Sequence, residues 1–315
     1  MEHSAIVIGA GGIGGFHLEK LVLLQQMGKI DRIAFSRTTN DNVQESYSRL
    51  KKQFPGVQVK GFTCVEQLVS EEQAEFAIIS TPTTLHNKHA TYLLENDNNL
   101  KGVLLEKPST TGQYLSKELI TIAQEKNVCY GINLQLASIH LPSSQEHFRA
   151  ALGISLEELM AEMTCFKCVW ESTGSDDVLM DLGTHALSLI DFRQFKHYQV
   201  IKTEFRQDYA HFTLEFPRYI AEFQLAYRKE RQDCRRSFAV TMGKDYEFFF
   251  GGVKENGCFL PSLRCRTLDT NKTIIFPEDF CLTSIQKTIS GQPLVPGDQE
   301  LTYLEALNEI KNVGT

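Results

Sequence analysis

Three short stretches combine residue types and spacings that could do chemistry: Gly9-x-Gly11-x-x-Gly14, Glu106-Lys107-Pro108 and Asp181-x-Gly183-x-His185. In the first, one glycine can make a tight turn, the second can let a pyrophosphate approach the backbone, and the third can let helix and strand pack closely. A helix starting there would aim free N–H groups and a partial positive charge at the phosphates. Lys107 follows an apolar run and precedes a proline that restricts its backbone. Desolvation and neighbouring charge can bring such a lysine toward working pH. His185, with an ordinary pKa near ~6.5, is a natural proton carrier. Asp181 lies four residues earlier, on the same face if the helix has already begun. Together these groups suit hydride transfer between a nicotinamide and a carbon bearing oxygen, where a proton moves and negative charge develops on that oxygen. Plainer roles exist for each: a surface lysine, a helix N-cap for Asp181, and a packed core histidine for His185.

The surrounding pattern says which elements must position these residues. Ala5 to Ile8 reads as a buried strand entering the glycine turn, followed by a helix carrying Phe16, Leu18, Leu21 and Leu24. Arg32 to Thr38 reads as a second strand. Its end offers Ser36 and Arg37 where an acidic residue would take the ribose hydroxyl of NAD, so a 2′-phosphate and NADP(H) are favoured over NAD(H). The bland alternative for Arg37 is a solvated surface residue. A helix-like stretch (Val43 to Phe54), then Val57-Gln58-Val59 and Val65 to Val69, leads to the strand Glu75 to Ser80, stopped by Thr81-Pro82. Further strands are expected at Gly102 to Leu105 and Val128 to Asn133, each preceded by a helix. Alternating strands and helices predict an α/β, doubly wound parallel sheet over residues 1–133, with ligands beyond the carboxyl ends of the strands.

After Asn133 the pattern changes. A helix around Gln145 to Leu152 precedes a long strand-like run, Leu159 to Val169. A stretch from Asp176 and Asp177 to His185 then opens a helix. From Val200 to Phe250 apolar and polar residues alternate, with Phe212, Leu214 and Phe216 on one face and Phe223, Leu225 and Tyr227 on another. Short turns between strands predict an α+β domain over 134–315 with a large, mostly antiparallel sheet. Trp170 and Glu171 end a strand before the Asp181 loop and line a pocket or pack in the core; Arg228-Lys229 reads as a solvated edge.

Composition bounds the rest. The 315 residues are 42% hydrophobic and 23% charged, with net charge -7, which argues against nucleic-acid and anionic-membrane partners. No apolar run approaches the ~20 residues of a membrane span, and Met1-Glu2-His3 leaves no room for a leader before the first strand. The eight cysteines lack a framework spacing and predict reduced thiols in a cytoplasmic protein; Cys165-x-x-Cys168 falls in a strand pattern and lacks further zinc ligands. His86 and His89 share a helix without an evident third ligand, so no metal is expected.

Taken in order, Gly-x-Gly-x-x-Gly, Thr81-Pro82-x-x-x-His86, Glu106-Lys107-Pro108, Gly131-x-Asn133 and Asp181-x-Gly183-x-His185 resemble the glucose–fructose oxidoreductase and inositol dehydrogenase family (Gfo/Idh/MocA). The tail, Phe280 to Ile285, Gly291, Pro293 and Leu301 to Ile310, resembles that family's closing helices. The resemblance implies an NAD(P)-dependent dehydrogenase or reductase of a sugar, polyol or related carbonyl compound. It implies Lys107, Asp181 and His185 as catalytic and substrate-contacting residues, with Glu106 fixing the lysine or touching the cofactor ribose; Trp170, from its strand end, is a further substrate candidate. With the strand-end positions, the expected cofactor-binding set is Gly9, Gly11, Gly12, Ile13, Gly14, Ser36, Arg37, Ser80, Thr81, Pro82, His86, Glu106, Lys107 and Asn133. A small-molecule substrate and a homodimer or homotetramer are further expectations. Ser188 stands where many members carry an aspartate, and Leu134-Gln135-Leu136 lacks the arginine and aromatic residue that often line the sugar site. These departures leave two other readings open: a non-catalytic NADP(H)-binding regulator, and a reductase of an imine or tetrapyrrole.

Overall fold

A computed structural model describes residues 3–174, 177–255 and 258–314, with residues 254, 255, 258 and 259 as backbone only. Met1, Glu2 and Asp176 lie outside these residues. The chain divides into two compact units, Met1–Asn133 with Cys281–Leu301, and Leu134–Phe280 with Thr302–Thr315.

In the first unit, strands and helices alternate: β1 (Ser4–Ile8), α1 (Gly12–Gln26), β2 (Arg32–Ser36), α2 (Asn40–Gln53), β3 (Lys60–Phe62), α3 (Val65–Glu72), β4 (Phe76–Ile79), α4 (Thr83–Asn96), β5 (Gly102–Leu105), α5 (Gln113–Glu125) and β6 (Cys129–Ile132). The strands form one sheet in the order β3-β2-β1-β4-β5-β6, every pair parallel. Every residue of β1, β4 and β5 is buried, as expected of central strands covered by helices on both faces. The order reverses between β1 and β4, the switch point at which sheets of this kind bind ligands.

Strand β3 begins at Lys60, after Val57-Gln58-Val59, where Gly61 fits beneath Val43, Phe35 and Tyr47. Two expectations need correcting here. On α1 Phe16 is turned outward, whereas His17, on the stripe with Leu21 and Leu24, is fully buried. Cys281–Leu301 belongs with the first unit although a single break after Asn133 was expected. Cys281 and Ile285 bury themselves in the core of Val7, Leu18, Phe35 and Leu104, and the Ile132 N–H donates to Val295 O at 2.9 Å.

The second unit begins with α6 (Pro142–Leu152), α7 (Leu156–Ala161), β7 (Cys165–Ser172) and α8 (Val178–Leu187). There follow β8 (Gln199–Arg206), β9 (Tyr209–Glu215), β10 (Ile220–Tyr227), β11 (Arg236–Met242), β12 (Lys244–Glu255), β13 (Cys258–Arg266) and β14 (Asn271–Ile275). The chain closes with α9 (Phe280–Ile289) and α10 (Gly297–Val313). The eight strands form one sheet, β14-β13-β12-β11-β7-β10-β9-β8, antiparallel except for β7 with β10. Its covered face is a run of phenylalanines; Phe212 stacks on Phe223 at 4.8 Å and Phe238 on Phe248 at 4.6 Å. Leu159 to Ala161, expected in a strand, are helical because Ser155 and Glu158 close a capping box that starts α7. Among the described residues no helix is long and apolar enough to cross a membrane.

Candidate functional site

The first cluster lies at the carboxyl ends of β1, β2, β4, β5 and β6. Gly9 turns with φ +88°, and a Cβ there would run into Thr81 at 2.7 Å. A Cβ on Gly14 would stand 2.1 Å from Gly9 O and 2.4 Å from Ser80 Oγ, so only glycine lets α1 start so close to β1 and β4. The helix cap, Gly11, supplies no side-chain acceptor, and the first turn carries no acid. The N–H groups and partial positive charge of that end are therefore not neutralised by the helix itself.

Arg37 is folded onto this loop and is not a loose surface side chain. Its Nη1 donates to Ala10 O at 2.9 Å and to Ser46 Oγ at 3.2 Å, and its guanidinium overlies Gly11. Ser36 is buried, with its Oγ accepting from Gly9 N at 3.3 Å. The sequence reading missed Glu45, brought by α2 to 3.5 Å from Arg37 Nη2. Ser80 Oγ donates to Gly9 O at 3.2 Å, which ties β4 to the glycine turn. Thr81 Oγ1 meets His89 Nδ1 at 3.2 Å, and Pro82 caps α4.

His86 is buried with both ring nitrogens on backbone carbonyls, Thr81 O at 2.6 Å and Pro108 O at 3.1 Å. Burial holds its pKa below the ordinary value despite those carbonyls. Whichever nitrogen of the neutral ring carries the proton ties it to one of the two strand-end loops, and neither nitrogen points at a ligand.

The backbone around Lys107 is gripped by buried carboxylates on either side. Glu106 Oε2 accepts from Lys107 N at 3.2 Å, and Glu300, from the first turn of α10, accepts from Ser109 N at 2.9 Å. Glu106 Oε1 also lies 2.6 Å from His17 Nε2 and accepts from Asn133 Nδ2 at 2.6 Å, while His17 Nδ1 faces Cys281 Sγ at 3.4 Å. Burial opposes charge on His17, yet Cys281 and Glu106 outweigh it and raise its pKa well above the ordinary value. Glu106 is held low by His17 and Asn133 against the effect of burial. Glu300, buried, is pushed up to about 7 by desolvation, against the hydrogen bonds from Ser109 and the charge of Lys107. Asn133 Oδ1 is buried with no hydrogen-bond partner, an acceptor available to a ligand's N–H group. Glu106 is thus the hub of a buried network whose members His17 and Cys281 sequence reasoning did not find; it also missed Glu300, on the other side of Lys107.

The second cluster belongs to the other unit. Asp177 Oδ1 accepts from Leu179 N and Met180 N, so Asp177, not Asp181, is the N-cap of α8. Asp181 and His185 stand one turn apart on that helix, and Tyr227 OH donates to Asp181 Oδ2 at 2.8 Å. The His185 ring lies 5.7 Å from the buried indole of Trp170. Ser188 closes the helix, donating from Oγ to His185 O at 2.8 Å. Arg228 is not a free edge residue: its Nε donates at 2.9 Å to Glu171, whose other oxygen accepts from Arg235 N at 2.7 Å. Among the described residues no group of three His, Cys, Asp or Glu side chains is placed to hold a metal ion.

The glycine cradle, the uncapped helix end and the orphaned Asn133 oxygen all fit a nicotinamide dinucleotide. Residues 4–134 match the family model described as oxidoreductase family, NAD-binding Rossmann fold. No curated protein matches the chain. Solved structures share its fold from end to end. UDP-N-acetylglucosamine 3-dehydrogenase GnnA from Acidithiobacillus ferrooxidans superimposes with a TM-score of 0.68 at 17% identity, covering 100% of this chain and 98% of that one. KijD10, a 3-ketoreductase from Actinomadura kijaniata in complex with TDP-benzene and NADP, gives 0.73 at 15% identity, covering 99% and 97%. Over residues 4–134 the chain is thus similar to the Gfo/Idh/MocA oxidoreductases with an NAD-binding Rossmann fold.

Proposed function

We propose that the chain is an NADP(H)-preferring dehydrogenase or reductase that moves a hydride to or from a sugar or closely related small carbonyl compound. The observation that carries this is the packing of Arg37 over Gly11, on the same loop that the glycine turn leaves open to phosphates. A guanidinium so placed pairs with a 2′-phosphate more readily than with a ribose hydroxyl. Glu45 shares that arginine at 3.5 Å, but it is largely exposed, so its hold on the cation is screened by water. The sugar substrate is supported by the fold likeness to GnnA, a UDP-N-acetylglucosamine 3-dehydrogenase, and KijD10, a 3-ketoreductase in complex with TDP-benzene and NADP.

When bound, the nicotinamide supplies the hydride acceptor or donor. Gly9, Gly11, Gly12, Ile13, Gly14, Ser36 and Arg37 hold its dinucleotide, and Asn133 offers an acceptor. Lys107, its backbone pinned by Glu106, places a cation at the reacting oxygen. His185 carries the proton, and Asp181, oriented by Tyr227, holds a substrate hydroxyl. Trp170 backs the His185 ring.

Replacing Lys107 by Met tests this reading. Hydride transfer monitored at the nicotinamide absorbance should fall by about 100-fold or more while NADPH affinity stays within a few-fold. Unchanged turnover in Lys107→Met would remove the lysine from the chemistry. No turnover by the unaltered protein with any sugar or sugar derivative would favour a non-catalytic binder.

A further inference from the structure

At the end of β11 the side chain of Arg236 lies on the same face of the sheet as Trp170, its cross-strand partner in β7. The guanidinium carbon is 5.6 Å from the indole centre, a cation laid against the ring that also backs His185. Arg236 is only partly exposed, and its Nε and Nη2 donate to Glu171 O and Ser172 Oγ, each at 3.2 Å. Neither acceptor carries charge. The nearby carboxylate, Glu171, is committed to Arg228 and to the backbone of Arg235. Among the described residues Arg236 therefore has no carboxylate partner. Burial lowers its pKa, but a guanidinium keeps its proton in a protein, so among the described residues it is a partly dehydrated cation without a carboxylate counter-charge. A structural arginine in this position is ordinarily paired, because a partly buried charge is costly when left alone. A guanidinium with unused N–H groups, beside the candidate proton carrier, matches the planar geometry of an oxyanion.

We infer that Arg236 is a specificity-determining residue that receives an oxyanion on the substrate, so that the physiological sugar carries a phosphate ester or a carboxylate. The inference rests on the oxidoreductase reading and narrows its substrate to anionic sugars. Trp170 serves both groups, packing on His185 and on Arg236, so the oxyanion and the reacting hydroxyl belong to one small molecule. Neutral polyols leave the cation unpaired and bind less well.

The test is calorimetric titration of the NADP⁺-saturated protein with glucose, glucose 6-phosphate, glucuronate and UDP-N-acetylglucosamine. At least one anionic sugar should bind tighter than about 1 mM and roughly tenfold or more tighter than glucose. The phosphate-bearing probes and glucuronate separate the two kinds of oxyanion. In Arg236→Gln that ratio should fall toward one, and Arg236→Lys, which keeps the charge but not the fork, should retain part of it. Added salt should weaken anionic binding in the unaltered protein and leave glucose unmoved, a readout that needs no variant. Binding of glucose as tight as that of the anionic probes, absence of binding by all three, or an intact preference in folded Arg236→Gln would each overturn the inference. Cofactor titration without sugar is read separately: failure to bind NADP(H) would strike the oxidoreductase reading and not the role of Arg236.

Discussion

His17 Nε2, wholly buried, lies 2.6 Å from Oε1 of the largely buried Glu106. The imidazole enters from α1 and the carboxylate from the end of β5, so the pair ties the helix of the glycine loop to the strand that ends at Lys107. Removing one member of a buried ion pair leaves the other charge stranded, a loss of about 3–5 kcal/mol. His17→Leu should therefore lower unfolding stability by about that amount in a urea titration. His17→Leu combined with Glu106→Gln should lose less than the sum of the single changes. Additive losses would show that the two side chains do not act as a pair.

Glu300 gives a pH signature. Its pKa in the folded chain is pushed up to about 7 from an ordinary value of 4.5. Between those values the folded state holds a proton that the unfolded state has released, so stability falls as pH rises from about 4.5 to 7 and levels off above. Glu300→Gln keeps an oxygen for Ser109 N and cannot ionise. Thermal melts should show the variant gaining on the unaltered protein from pH 5 to pH 8. A constant gap between the two melting temperatures across that range would refute the assignment.

How much of this could be read from the chain alone differs residue by residue. The glycine turn was legible because its constraint is steric and local: Gly14 has no room for a Cβ, whatever the rest of the chain does. The parallel sheet followed from apolar runs such as Phe76–Ile79 and Gly102–Leu105, which have no polar face to offer water. The placement of α7 was legible too, in Ser155-x-x-Glu158, but the apolar run after it masked the cap. His17 left a trace, a polar residue at a position periodic with Leu21 and Leu24. Other relationships left none. Glu300 reaches Ser109 across 191 residues, and Arg236 meets Trp170 through a strand register that no local spacing encodes.

Asp181 is separated from helix capping by Asp177, which frees it for Tyr227. Tyr227→Phe removes that donor and changes little else in volume. If Asp181 holds a substrate hydroxyl, kcat/KM should fall about tenfold while the melting temperature moves only slightly. Unaltered kinetics would place Asp181 outside the substrate site.

Gly14→Ala should do more than weaken phosphate contacts, since the added methyl would meet Gly9 O at 2.1 Å and force α1 away from the β1 turn. Cofactor affinity is expected to fall by about 100-fold or more, with a stability loss of about 1–3 kcal/mol from overpacking. Dye-monitored melting with and without NADPH would separate the two effects, and an Ala variant that still binds NADPH normally would show that the turn can relax.

The central claim is tested most directly by measuring binding of NADPH, NADP⁺, NADH and NAD⁺ to the unaltered protein and to Arg37→Ala. Melting should rise strongly with NADPH, by the equivalent of about 2.7 kcal/mol at ~100 times its dissociation constant, and much less with NADH. Arg37→Ala should remove that difference by weakening the phosphorylated cofactor alone. Equal responses to NADPH and NADH would contradict the NADP(H) preference, and no response to any of the four would contradict the oxidoreductase reading itself.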